Sequence, residues 1–147
     1  MQEITGWLLI IFGGSLYFAQ IISSINFPLA QKLGLQEKSE TSAPLLLRSE
    51  RYTAYWDLLT LIWLPVAGYL MIINHYLWPI LLLTGGAIYL DTVGREALKS
   101  LGFRHEGVKM GTAKEQRLFF LSYIVMMIMA IFAIIYSILH LKILLMS

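Results

Sequence analysis

The sequence predicts an all-α integral membrane protein, a four-helix bundle with both termini on the non-cytoplasmic side. Three observations carry this reading. Long apolar stretches dominate the chain: residues 4–27 are uncharged, residues 58–90 hold only the titratable His75, and residues 118–141 hold only His140. A helix needs about 20 apolar residues to cross a hydrocarbon core of ~30 Å, so the middle stretch is long enough for two crossings. The basic residues are also lopsided. Lys32, Lys38, Arg48 and Arg51 lie between the first two spans, and Arg95, Lys99, Arg104, Lys109, Lys114 and Arg117 run from the end of the third to the start of the fourth. Only Lys142 falls on the other side, a positive-inside pattern that puts loops 1 and 3 in the cytoplasm. Finally, with 147 residues, 58% of them hydrophobic, four crossings and three loops use nearly the whole chain as one domain.

The elements follow in order. Span 1 covers about 4–27 and stops at Pro28, which has no amide hydrogen for the next helical bond. The opening Met-Gln-Glu lacks the basic region of a cleaved signal peptide, so span 1 is expected to persist. Loop 1 begins with a short amphipathic piece, 28–35. The polar run 36–42 is expected to be its mobile part. Pro44 suits a first helical turn, and span 2 enters the membrane near Tyr52, kinks at Pro65 and ends near residue 73. The chain turns at Asn74-His75-Tyr76. Span 3, about 77–101, starts at the belt aromatics Tyr76 and Trp78, and Gly102 is its expected stop. Thr112-Ala113-Lys114-Glu115 has the capping-box pattern that starts a helix, leading into span 4, about 117–141. Gly13-Gly14-Ser15-Leu16-Tyr17 is echoed by Gly85-Gly86-Ala87-Ile88-Tyr89. Small residues let helices approach closely, so spans 1 and 3 are expected to touch there.

Composition also narrows the chemistry. There are no cysteines, which removes disulfides, thiolate catalysis and Cys-ligated metals. The basic loops fit topology and lipid headgroups, not nucleic acid. The chain has only two aspartates, Asp57 and Asp91, and both fall within predicted spans, in one layer of the cytoplasmic leaflet. An ionisable residue in a span costs about 2.5–3.5 kcal/mol to insert, which makes such residues candidates for a functional site. Gln20, Ser23 and Ser24 reach the same layer from span 1, and Ser122 and Tyr123 from span 4. Glu50, Thr53, Asp57 and Thr60 form one stripe, and Thr84, Ile88, Asp91 and Arg95 another. The competing reading is structural ion pairing, Asp91 with Arg95 and Asp57 near Arg51. No metal is expected; carboxylates without a histidine suit a hard cation or the cationic group of a ligand.

The segment Glu50-Arg51-Tyr52-Thr53-Ala54-Tyr55-Trp56-Asp57, with Tyr89, Arg95 and Gly102-Phe103, resembles the MAPEG superfamily, the small membrane proteins of eicosanoid and glutathione metabolism. Glu50-Arg51 and Ala54 match that family's pattern at the entry to span 2, whereas Thr53 replaces its second arginine and Asp57 its asparagine. The resemblance implies a homo-oligomer, a trimer, with Arg51, Asp57, Tyr89 and Arg95 lining a site between subunits and glutathione as a possible cofactor. On this reading the chain binds or modifies a small amphipathic ligand in a polar pocket of the cytoplasmic leaflet. Arg51, Asp57, Asp91, Arg95 and Gln20 would be its binding residues, and Tyr89 or Tyr123 the hydrogen-bond donor at a reacting centre. Two alternatives stand beside it: an oligomeric ion or proton pathway through Asp57 and Asp91, and a non-catalytic membrane subunit or assembly factor. The lipid bilayer is a partner in every case, and a bacterial inner membrane is the expected location.

Overall fold

The computed structural model describes the backbone of residues 2–146 and the side chains of residues 2–141. Met1 and the side chain of Lys142, the single basic residue expected on the opposite side, lie outside the described residues. The chain is all-helical: α1 (Gln2–Ile25), α2 (Phe27–Lys32), α3 (Pro44–Thr60), α4 (Trp63–Ile72), α5 (Trp78–His105) and α6 (Ala113–Met146). Among the described residues three helical stretches are long and apolar enough to cross a membrane: α1, the run Pro44–Ile72 formed by α3 and α4, and Ala113–Leu141 of α6. The fourth predicted span lies in α5. It has the length, 28 residues, but from its midpoint on it carries Asp91, Arg95, Glu96, Lys99 and Arg104.

Packing follows chain order. α1 lies against α4 and, lower down, α3; α4 lies against α5, and α5 against α6. The buried core they share includes Leu9, Leu61, Leu64, Met71, Leu82, Tyr89, Val93 and Ala130. Small residues set the separations. A Cβ on Gly6 would sit 2.7 Å from the Gly68 carbonyl oxygen, and one on Gly68 would sit 2.6 Å from that of Gly6. The backbones of α1 and α4 therefore touch. Gly86 is similarly closed off by Ala130 and Ala133 of α6. Spans 1 and 3 touch at the echoed segments through Tyr89 and Gly13, but the glycine pairs themselves do not pack on each other. Gly13 packs on Leu64 and Pro65, and Gly85 on Trp63 and Leu64, so α4 is clasped between them.

The break in the second span lies at Leu61 and Ile62, just before Pro65. An unbroken helix would offer the Leu61 carbonyl to the amide of residue 65, but proline has no hydrogen to give. The Tyr89 hydroxyl supplies it instead, donating to Leu61 O at 3.3 Å and Gly13 O at 3.4 Å. This one bifurcated contact joins α1, the helix break and α5. Tyr89→Phe should cost about 1 kcal/mol in detergent-solubilised unfolding, the range for a buried hydroxyl bond between membrane helices.

Helix ends set the loops. At α5 the stop is Gly107 (φ +70°), not Gly102, which lies inside the helix. The Val108 amide bonds Phe103 O and the Gly107 amide bonds Arg104 O, the paired bonds of a Schellman end. Gly34 closes α2 in the same way, with Leu35 N–H to Ala30 O, and Asn74 closes α4, with His75 N–H to Leu70 O. The Thr112–Glu115 box forms fully: Glu115 Oε2 accepts from Thr112 N at 2.7 Å, and Thr112 Oγ1 accepts from Glu115 N at 3.3 Å.

Loop 1 is not the open polar run expected. Gln36 and Glu37 are buried, and Ser42 pairs with Met110 of the α5–α6 loop in an isolated antiparallel bridge. The Gly34 turn reverses the chain and sends Gln36 and Glu37 back against the helices. This is what roofs the site.

Candidate functional site

A cavity of about 260 Å³ lies where the loop-side ends of α1, α3, α5 and α6 converge. Leu16, Ala19 and Gln20 come from α1, Glu50, Thr53 and Asp57 from α3, Thr92 and Glu96 from α5, and Phe119, Ser122, Tyr123 and Met126 from α6. Gln36 and Glu37 of loop 1 complete it. Each helix reaches the cavity through residues one turn apart. Glu50, Thr53 and Asp57 are spaced by three and four, which puts them on one face of α3. On α5 the buried face runs Gly85, Tyr89, Thr92, Glu96.

The lining is acidic. Glu37, Glu50, Asp57 and Glu96 all belong to it. Behind them Lys99 bridges two of the four, contacting Glu50 Oε1 at 2.9 Å and pairing with Glu96 through a second short contact. The Glu50 and Glu96 side chains are only 14% and 9% exposed, so their charge is answered almost wholly by this one ammonium. Lys99 also donates to Thr53 Oγ1 at 3.5 Å. Asp57 has no such partner. It is 2% exposed, and its Oδ1 makes no hydrogen bond. The Gln20 Oε1 is buried and unpartnered as well. Native proteins leave few buried polar groups unpaired, and each one asks for an explanation.

The roof is tied down through Gln36, whose amide donates to Ser23 Oγ at 3.2 Å; Ser23 in turn donates to Ala19 O at 2.8 Å. Gln31 holds the next residue, donating to Glu37 O at 2.6 Å. Burial pushes the Glu37 carboxyl up to about 7, and the nearby Glu50 adds to the shift. The unfolded chain releases the same proton near 4.5. Between those values the folded state binds more protons, so this contribution to stability is intact below 4.5 and lost as pH rises through about 7. Unfolding in detergent should show stability falling across that window by on the order of 2 kcal/mol, once loop solvent access is discounted. Glu37→Gln should flatten the fall; an unchanged slope would assign it to another group.

The residues singled out from the sequence divide clearly. Gln20, Asp57 and Tyr123 line the cavity. Tyr89 lies beneath it, buried, with its hydroxyl engaged by the two backbone carbonyls. Asp91 and Arg95 do not join them. Their side chains are 72% and 43% exposed, 4.0 Å apart, on the outward face of α5. The two aspartates placed in one layer therefore do not share the cavity: Asp57 is buried and lines it, whereas Asp91 is exposed beside Arg95. Arg51 is also outside the cavity, in a shallow depression with Phe27, Ser39, Leu47, Arg48 and Tyr52.

Sequence reasoning passed over Glu37, Glu96 and Lys99. For Glu96 a signal was present: Gly85 and Gly86 mark the close-packed face of α5, and four, seven and eleven residues beyond Gly85 come Tyr89, Thr92 and Glu96. Among the described residues, no three His, Cys, Asp or Glu side chains converge as a metal-ligand set.

From the cavity an apolar groove continues between α1 and α6, lined by Phe12, Leu16, Leu121, Val125 and Met126. Leu16, Leu118, Ser122 and Met126 line both, so the two spaces adjoin. A polar chamber thus opens onto an apolar furrow between two membrane-compatible helices. No protein-family model matches the chain, and no curated protein and no solved structure matches it either.

Proposed function

We propose that this is a four-span membrane protein, with loops 1 and 3 on the cytoplasmic side, that binds a small amphipathic ligand. The polar end of the ligand occupies the cavity, and its apolar end lies in the α1–α6 groove. The observation that carries this reading is Asp57, a carboxyl buried within an apolar helix layer whose free oxygen has no partner in its own chain. Intramembrane ionisable groups are costly and generally face a polar space that uses them. The apolar furrow leading away from the cavity supplies the second half of an amphiphile's site.

The glutathione form of this proposal has less support. It needs Arg51 and Arg95 to hold an anion, and both lie outside an acidic cavity. A conduction pathway through Asp57 is disfavoured by what lies beyond it. Tyr89, Leu61, Leu64 and Leu9 are buried beneath it, which offers no polar continuation through a single chain.

The reading is tested by extracting and weighing by mass spectrometry the compounds that travel with protein purified in a mild detergent. Ser122 lines both spaces, so Ser122→Trp fills their junction. An amphiphile should be recovered near equimolar with the wild type and fall at least tenfold in the variant. Equal recovery from both proteins would count against the reading.

A further inference from the structure

The chemistry of the cavity goes beyond polarity: every group left wanting there is an acceptor. Among the described residues Asp57 Oδ1 and Gln20 Oε1 are both buried and unpartnered, and a carboxylate oxygen and an amide oxygen both accept. What is missing is therefore a hydrogen-bond donor. Four carboxyl groups line the space, and the one ammonium beside them, Lys99, is already engaged by Glu50 and Glu96. Among the described residues no basic side chain contacts Glu37 or Asp57; Lys99 acts on both, and Arg95 on Asp57, only from a distance. An anion entering here meets like charge, whereas a neutral head leaves the two acids unanswered. A cation that carries its own N–H groups satisfies both demands.

The shape narrows the class further. The groove is a furrow between Phe12 and Leu16 of α1 and the Leu118 to Met126 stretch of α6, about 12 Å along α6 at 1.5 Å per residue. A groove formed by two helices suits one chain, and the acidic wall opposes a phosphate next to the amine. Resting on the amphiphile reading above, we propose that the site takes a single-chain lipophilic amine, its primary ammonium group hydrogen-bonded by Asp57 and Gln20 beneath the Glu37 roof and its alkyl chain in the α1–α6 groove.

The test uses the full chain in bilayer discs of phosphatidylcholine, so that the added probe is the only primary amine lipid. Thermal unfolding is followed while dodecylamine, dodecyltrimethylammonium, dodecanol or dodecyl sulfate is titrated in. Dodecylamine should stabilise the wild type at concentrations at least tenfold below dodecanol or dodecyl sulfate, with the trimethylated probe in between because it cannot donate. Asp57→Asn should abolish that tenfold preference, and Glu37→Gln should reduce it. If Asp57→Asn fails to assemble, the Glu37→Gln arm carries the same comparison. Equal stabilisation by dodecanol or dodecyl sulfate, or a preference that survives in both variants, would overturn the amine assignment and leave a groove that reads chains only. Equal potency of the trimethylated probe would overturn the donor requirement. No response to any of the four would overturn the amphiphile reading as well.

Discussion

Lys99→Met is expected to destabilise the protein by about 3–5 kcal/mol near neutral pH, the usual consequence of removing one member of a buried charge cluster. The loss does not measure the strength of the contacts. It measures what is left behind, two carboxyls with side chains 14% and 9% exposed and no other partner at contact distance. The rescue separates this from a packing effect. Adding Glu50→Gln and Glu96→Gln to Lys99→Met removes the stranded charges and should recover most of the loss, because a neutral hydrogen-bonding cluster avoids the desolvation penalty. Denaturant or SDS titration of the purified protein reads both results. A single variant within about 1 kcal/mol of wild type would mean that the carboxyls do not depend on Lys99. The double rescue failing would place the damage in the lysine stem instead.

Gly68→Val should be nearly as damaging, by about 3 kcal/mol or more, and should separate α1 from α4. The argument is steric. The added Cβ would meet Gly6 O at 2.6 Å and the Leu9 Cβ at 3.0 Å, and the nearer of these is backbone that cannot rotate away. Membrane helices gain little from apolar contact with one another that lipid would not also provide, so their affinity depends on close approach. Gly14 is the internal control. Nothing lies within 4 Å of a Cβ placed there, and Gly14→Ala should stay within about 0.5 kcal/mol of wild type or improve it, since alanine is the better helix former. Equilibrium unfolding of both variants, with a cross-link between the first and second spans as a proximity readout, checks the pair.

Much of the local structure was legible because its causes are local. Asn74 ends α4 where the polar Asn-His-Tyr interruption predicts a turn. Thr112 and Glu115 form their reciprocal cap, and Pro44 opens α3. Other ends were misplaced for an identifiable reason. Gly102 and Gly107 look equally able to stop a helix, and only the bonds from Val108 and Gly107 back to Phe103 and Arg104 distinguish them. Pro65 was seen, but its break falls before it, because the carbonyl that proline leaves unused lies four residues upstream and finds Tyr89.

The acidic site was half visible. Gln20, Asp57 and Tyr123 could be placed at one depth by counting residues along each helix. Counting fixes height but not direction: a helical residue can face core or lipid at the same depth. Asp91 and Glu96 are five positions apart and face opposite ways, and nothing in the charge pattern alone picks the inward one. Glu37 was out of reach for a different reason. It becomes part of the site only because Gly34 reverses the chain and Gln31 and Gln36 fasten it, contacts that join residues near in sequence to a chamber built by distant ones.

By itself, then, the sequence determined an all-helical chain with membrane-length apolar segments and the position along each helix at which its acids lie, because these follow from residue order and a fixed rise per residue. The tertiary structure alone decided which acids share a space, which lysine answers two of them, and that one buried aspartate oxygen makes no hydrogen bond among the described residues. Those outcomes depend on the rotation of each helix about its own axis, and that rotation is set by glycine contacts between helices far apart in sequence.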